Sequence, residues 1–150
     1  MSGRLVSPAS AAVLRMALEE SREPWRAEAM TQSAWVERAM VCPAWTAAWI
    51  DGGTVVAAGC LILHWPGRAE ACAVVNRRAT TRQVVQATRA ARRWIEARQR
   101  APALRRVEVF MPHRSPWRVT FMRALGFRRE ARLRRWGPDG ADYDLYAKVA

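Results

Sequence analysis

The run "VVNRRATTRQ", residues 74–83, gathers three arginines and two threonines where a long helical pattern begins. Backbone N–H groups at a helix N-terminus lack an intrahelical partner, and the helix dipole favours negative charge there. Together with the hydroxyls of Thr80 and Thr81 and the side chains of Arg77, Arg78 and Arg82, such a run could hold an anion. At 100° per residue, Arg82, Arg89, Arg93 and Arg100 share one face of the helix that follows, and Val84, Ala87, Ala91, Trp94 and Ile95 the other. The plainer account is a solvated basic face over a buried apolar one. The sharper one is a contact with DNA or an acidic protein, since half or more of protein–DNA hydrogen bonds go to phosphate and sugar.

The whole chain leans the same way, with a formal charge of +12. Lys148 is its single lysine, so 24 of the 25 basic residues are arginine. That skew, with abundant Ala, Val and Trp, fits GC-rich coding, although the positive field would attract phosphates whatever its origin. The 150 residues suit one domain with a proper core, and a 51% hydrophobic content argues against disorder. The N-terminus has no continuous apolar segment of signal type, and no run approaches the roughly 18 apolar residues of a membrane span. A soluble protein, not exported by a signal peptide, is expected. Cys42, Cys60 and Cys72 are odd in number and lack CxxC spacing, and His64 and His113 form no ligand-spaced pair. Neither a structural disulfide nor a metal site is expected.

Positioning these groups requires a definite order of elements. Residues 4–6 suit a short strand. Ser7-Pro8 and Ser10 suit the start of a helix through Ala11–Glu20, with Val13, Leu14, Ala17 and Leu18 on one stripe. Pro24 should end it, and a second helix over 31–40, with Thr31 as a possible cap, should turn Trp35, Val36 and Ala39 inward. Strands are expected at 44–50 and 54–65 around the Asp51-Gly52-Gly53 turn, and at 69–75 after Pro66-Gly67. The long helix runs from Thr80 or Thr81 to about Arg98, followed by a strand at 105–111. A helix over 115–125, with Ser115 as cap and Pro116 in its first turn, should end on Gly126. Strands at 127–136 and 142–149 close the chain. Of the eight tryptophans, Trp45, Trp49, Trp65 and Trp94 suit buried positions, and Trp117 and Trp136 part-exposed ones.

That order, with the ending "FMRALGFRRE…GPDGADYDLYAKV", resembles the GNAT family of acetyl-CoA-dependent N-acyltransferases. The features that carry it are Leu125, Gly126 and Phe127, then Glu130 and Tyr146. The resemblance implies one α/β (α+β) domain over residues 1–150. Its mixed, mostly antiparallel sheet would have six or seven strands and about four helices, strands four and five splaying apart. A narrower likeness, in the compact length, the "ARRWIEA" helix and the tail, is to short proteins of tailed phages and prophages. It implies a place in the bacterial cytoplasm or in the virion.

The resemblance also distributes the chemistry. Acyl transfer from a thioester to an amine needs the cofactor's pyrophosphate held, the carbonyl polarised, the amine deprotonated and the leaving thiolate protonated. Acetyl-CoA is the implied cofactor, with Arg77, Arg78, Thr80, Thr81 and Arg82 at its phosphates. Backbone N–H groups around Ala73, Val74 and Val75 would meet the carbonyl and the pantetheine arm. Thr80 and Arg82 stand where the family loop has glycines, Met122 where it has a proton-donating Tyr, and Ser115 where it has an Asn. Glu70 and Glu108 are the candidate bases; Tyr143, Tyr146, Cys72 or a water are the substitute acids. Each also suits an ordinary surface or core-edge position. Acyl transfer and a non-catalytic binding scaffold, contacting a polyanion through Arg82, Arg89, Arg93 and Arg100, both remain open.

Overall fold

The structure is a computed structural model and describes residues 3–22, 32–100 and 104–150, without the side chains of Gln32 and Ser33. Pro24 and Thr31, expected to end one helix and cap the next, lie outside the described residues. The elements are β1 (Arg4–Val6), α1 (Ala11–Glu19), α2 (Gln32–Met40), a 3-10 turn (Pro43–Trp45), β2 (Thr46–Asp51) and β3 (Thr54–Trp65). They continue with β4 (Gly67–Val75), α3 (Thr81–Arg100), β5 (Leu104–Pro112), α4 (Pro116–Leu125), β6 (Arg128–Leu133) and β7 (Tyr143–Val149). The seven strands are hydrogen-bonded in the order β1-β2-β3-β4-β5-β7-β6, with β4 and β5 parallel. This is the mixed sheet expected. The β4–β5 ladder runs from Gly67↔Leu104 to Glu70↔Glu108 and stops, while each strand continues.

Two compact units divide the chain. One comprises Met1–Ile62 and Cys72–Ala90, the other Leu63–Ala71 and Ala91–Ala150. In the first, Leu14, Ala17 and Leu18 of α1 and Trp35, Val36 and Ala39 of α2 share a buried cluster with Ala48, Val55, Ala58, Cys60 and Val74. Leu14 has no exposed surface, and burial of such a side chain stabilises by about 1.5–3 kcal/mol. Ser10 caps α1, its hydroxyl accepting from the Val13 N–H at 3.3 Å. The β2–β3 hairpin turns on Gly52 (φ +56°) and Gly53 (φ +81°), values that a Cβ would penalise.

In the second unit, Val107, Val109 and Met111 of β5 lie opposite Lys148, Tyr146 and Asp144 of β7. Strand alternation puts all six on one face. Trp94, Ile95, Met122 and Leu125 are buried in the same unit. Lys148 donates to Glu96 Oε1 on α3 and to the Leu125 carbonyl at the end of α4, each at 2.9 Å. Helix α4 stops because Gly126 takes φ +87° and its N–H, with that of Phe127, returns to the Arg123 and Met122 carbonyls. Leu125 and Phe127 are buried on either side, so this turn packs the helix end onto the unit's core.

Three local expectations are corrected. The strand expected from residue 44 begins at Thr46, because Pro43 lacks a ladder donor and opens a 3-10 turn closed by Trp45 N–H to Cys42 C=O. Strand β6 ends at Leu133 rather than 136: Arg135 takes φ +50° and Trp136 leaves the strand to stack on Phe110. Trp65 is exposed, not buried. It ends β3 beside the turn, with the Arg68 guanidinium 4.2 Å from its ring centroid. No helix among the described residues is long and apolar enough to cross a membrane.

Candidate functional site

In the first unit the loop from β4 to α3 is organised by Asn76, which is almost wholly buried. Its Nδ2 donates to Glu20 Oε2 at 2.5 Å and to the Val55 carbonyl at 3.1 Å, and its Oδ1 accepts from the Arg78 N–H at 2.8 Å. Its own N–H donates to the Val56 carbonyl, and its carbonyl accepts from Ala79 N–H and Arg22 Nε. The Arg22 guanidinium also donates to the Ala79 carbonyl, and its backbone N–H to that of Val75. Arg77 N–H donates to the Glu20 carbonyl. A short segment after α1 therefore braces the loop from the side.

Thr80 begins α3 with a capping box. The Gln83 N–H donates to Thr80 Oγ1 at 3.3 Å, and the Thr80 N–H donates to Gln83 Oε1 at 3.0 Å. Gln83 is held in turn by its Nε2 bond to Asp51 Oδ2. The N–H groups of residues 77, 78, 79, 80 and 83 thus all have protein partners. The main-chain donors of Arg78 and Thr80 are therefore spent inside the loop, leaving those of Thr81 and Arg82. The guanidiniums of Arg77, Arg78 and Arg82 are exposed and make no ion pair among the described residues. An anion's charge is still matched here, with fewer backbone donors than a glycine loop provides. Upstream, Ala73 is exposed in β4, and Gly59 lets that stretch come close, since a Cβ there would lie 2.7 Å from the Cys72 carbonyl oxygen.

In the second unit Glu70 and Glu108 sit opposite each other on the last rung of the β4–β5 ladder, yet their surroundings differ. Glu108 is 5% exposed and accepts from Arg68 Nε at 2.8 Å and Arg106 Nε at 2.5 Å. Burial pushes its carboxyl up, but the hydrogen bonds of the two guanidiniums outweigh this and hold it below the usual range. Arg106 extends the chain of charge to Glu130. Glu70 is less buried and lies 3.1 Å from His64 Nε2. Glu108 thus accepts from two guanidiniums, whereas Glu70 faces a histidine.

At the far end of β5, His113 Nδ1 lies 3.0 and 2.9 Å from the two carboxylate oxygens of Asp144, and Arg129 Nε donates to the same carboxylate at 2.8 Å. Burial raises the Asp144 carboxyl, but the bonds from Arg129 and His113 prevail and keep it below its usual value. Tyr146, on the same face, is buried and held as a phenol, first by desolvation and then by the Asp144 charge. Tyr143, three residues away, faces the other side of β7 and packs against Trp136, which stacks on Phe110 at 4.7 Å. Ser115 begins α4, but its hydroxyl makes no capping bond. Met122 is buried.

No family model matches the sequence, and no curated protein matches it significantly. Solved structures do match. Ard1 from Thermoplasma volcanium superposes on all of this chain, over 99% of its own length, with TM-score 0.82 at 13% identity. A GNAT-family acetyltransferase from Bacillus anthracis matches 99% of this chain and 95% of its own, with TM-score 0.72 at 16% identity. The fold is that of the GNAT acetyltransferases. The yncA protein of Salmonella typhimurium, solved with acetyl-CoA, shares it over 99% of this chain and 94% of its own, with TM-score 0.75 at 10% identity.

On this GNAT fold, Ala73, Val74, Val75, Arg77, Arg78, Thr80, Thr81 and Arg82 fall together in the first unit. Glu70, Glu108, Ser115, Tyr143 and Tyr146 fall in the second. Sequence reasoning missed Asn76, Glu20 and Arg22, which shape the loop, and the histidine partners of Glu70 and Asp144. The T-x-x-Q spacing of Thr80 and Gln83 was a usable capping signal. The long-range partners of Asn76 left no local one.

Proposed function

We propose that the chain is an N-acyltransferase that moves an acyl group from a CoA thioester, acetyl-CoA by the resemblance, to an amine. The supporting observation is the end-to-end superposition on GNAT acetyltransferases, one neighbour being solved with acetyl-CoA. The cofactor would supply the activated acyl carbonyl. Thr81 and Arg82 N–H groups with the side chains of Arg77, Arg78 and Arg82 would hold its pyrophosphate. Glu70, 3.1 Å from His64 Nε2, is the candidate to take the proton of the attacking amine. Isothermal titration with acetyl-CoA and with free CoA tests this: saturable binding is expected, weakened when Arg78 and Arg82 are both changed to Ala. Absence of heat with both ligands would reject it.

A second reading draws on the closed loop and on α3. Arg82, Arg89, Arg93 and Arg100 are exposed and without an ion pair among the described residues, whereas Arg92 is paired with Glu96. These favour a non-catalytic scaffold, a phage accessory or virion component, that contacts DNA or another polyanion. Binding to mixed-sequence duplex DNA would then weaken with salt, with a log–log slope of about −0.9 per phosphate neutralised. Changing Arg82, Arg89 and Arg93 to Gln would flatten it; no binding at low salt would remove this reading.

A further inference from the structure

Trp136, in the second unit, is an exposed tryptophan with no cation against it. It is 50% exposed, yet its indole lies nearly parallel to Phe110, 4.7 Å away at 13°, and Tyr143 braces it at 5.2 Å. No guanidinium contacts it among the described residues, whereas Arg68 lies over Trp65 and Arg118 beside Trp117. The turn behind it is tight: a Cβ on Gly137 would lie 2.5 Å from the Tyr143 ring, and the Gly137 N–H donates to the Ala141 carbonyl at 2.9 Å. One face of the indole is thus backed by a ring and the other is open. Around it stand the two non-glycine residues with positive φ among those described, Arg114 at +63° and Arg135 at +50°. That conformation is costly and concentrates at ligand clamps. Asp142 ties their segments together, its carbonyl accepting from the His113 N–H and its carboxylate from the Arg135 N–H, each at 2.9 Å. Arg114, Arg128, Arg134 and Arg135 are exposed and make no ion pair among the described residues. The acids nearby are engaged: Asp142 with Arg132, Asp144 with Arg129 and His113, Glu130 with Arg106, and Asp139 with the Ala141 N–H.

We propose that this end of the second unit binds single-stranded nucleic acid, one base stacking on the open face of Trp136 and the flanking phosphates meeting Arg114 and Arg135. It depends on neither the acyltransferase reading nor the arginines of α3. Arg135 adjoins Trp136 in the chain, with about 3.8 Å between their Cα atoms, so its guanidinium can reach a molecule seated on the indole. A rigid aromatic platform beside unpaired cations suits a strand of any sequence, because every base has a π face. A duplex keeps its base faces stacked inside and gains nothing from the indole. A lone nucleotide is too short to use the whole row. Strand β6 is the edge of the sheet, and Arg128 to Arg134 along it span about 20 Å at about 3.3 Å per residue, the reach of several phosphates.

Fluorescence anisotropy at low salt tests this, with a labelled oligothymidylate of about eight nucleotides beside a duplex of the same length. Trp136→Ala should weaken single-strand binding about 5- to 150-fold, the usual worth of one stacked base, and leave duplex binding nearly unchanged. Trp136→Phe, which keeps a ring, should retain most of the affinity. Arg114→Gly and Arg135→Gly together should lower the log–log salt slope by about 1.4, at about 0.7 for each single-strand phosphate released. They should do so without loss of thermal stability, since glycine adopts both φ values freely. In the wild-type protein the Trp136 indole N–H resonance, identified by its loss in Trp136→Phe, should move as the strand is added. Absence of single-strand binding at low salt overturns the proposal. So does a folded Trp136→Ala that binds the strand as wild type does, an equal loss for strand and duplex, or a Trp136 resonance unmoved in the saturated complex. A wild-type dimer that Trp136→Ala dissociates also overturns it, because the open ring then belongs to a second copy. The resonance and glycine arms do not depend on Trp136→Ala folding.

Discussion

Two helices start beside candidate chemistry, and they start in opposite ways. At α3, Thr80 and Gln83 exchange capping bonds while Asn76 and Glu20 absorb the neighbouring N–H groups, so the polypeptide has closed its own donors. At α4, the Ser115 hydroxyl makes no capping bond, and the His113 ring just before it has one nitrogen uncommitted among the described residues. A helix N-terminus is therefore not by itself a binding site. What matters is whether the chain has already satisfied it, and here the start of α3 is the satisfied one.

The largest effect should come from removing the centre of the closed region. Asn76→Ala leaves the part-buried Glu20 carboxylate, a carbonyl and an N–H without their partner, and should cost about 2–4 kcal/mol in denaturant unfolding. A cost under about 1 kcal/mol would mean that the loop is not built on Asn76. The carboxylates of the last β4–β5 rung differ in their partners, two guanidiniums at Glu108 and a histidine at Glu70. Glu108→Gln should lose about 1–3 kcal/mol of stability, because Arg68 and Arg106 lose a charged partner. Glu70→Gln should stay within about 1 kcal/mol of wild type, as for a part-exposed pair, while lowering turnover. Equal stability losses would erase the distinction.

A smaller and more direct test uses the two caps. Thr80→Ala should cost about 1 kcal/mol, the usual worth of a cap whose side chain bonds the helix, and Ser115→Ala only a few tenths. Reversal of that order would break the comparison. The smallest effect is electrostatic. Glu96 is drawn down from 4.5 to about 2, first by its hydrogen bond from Arg92 and then by that from Lys148. A depressed carboxylate contributes stability that is fully present above 4.5 and lost as pH falls towards 2. Glu96→Gln should therefore lower stability at neutral pH and leave it nearly unchanged in acid, which flattens the pH dependence in that window.

Much of this was legible in single stretches. Leu14, Ala17 and Leu18 on one stripe and Trp35, Val36 and Ala39 on another are inward as their spacing requires. Gly126 ends α4 in the left-handed region that only glycine enters freely. The internal bonding of the anion loop was not legible because the fate of an N–H is not a local property: Glu20 and Val55, far from Asn76 in sequence, complete its bonds. Trp65 was misjudged because an apolar run does not say where its strand leaves the core.

Periodicity and turn chemistry determined the element order, the inward faces and the helix stops, since these depend on neighbours a few residues apart. They carried the fold. Which of two opposed glutamates is locked by arginines, which histidine meets a buried aspartate, and whether a helix start keeps its donors free were decided only in the folded chain. Those outcomes depend on partners such as Arg68 for Glu108, Asp144 for His113 and Glu20 for Asn76, which only tertiary packing brings within hydrogen-bonding distance.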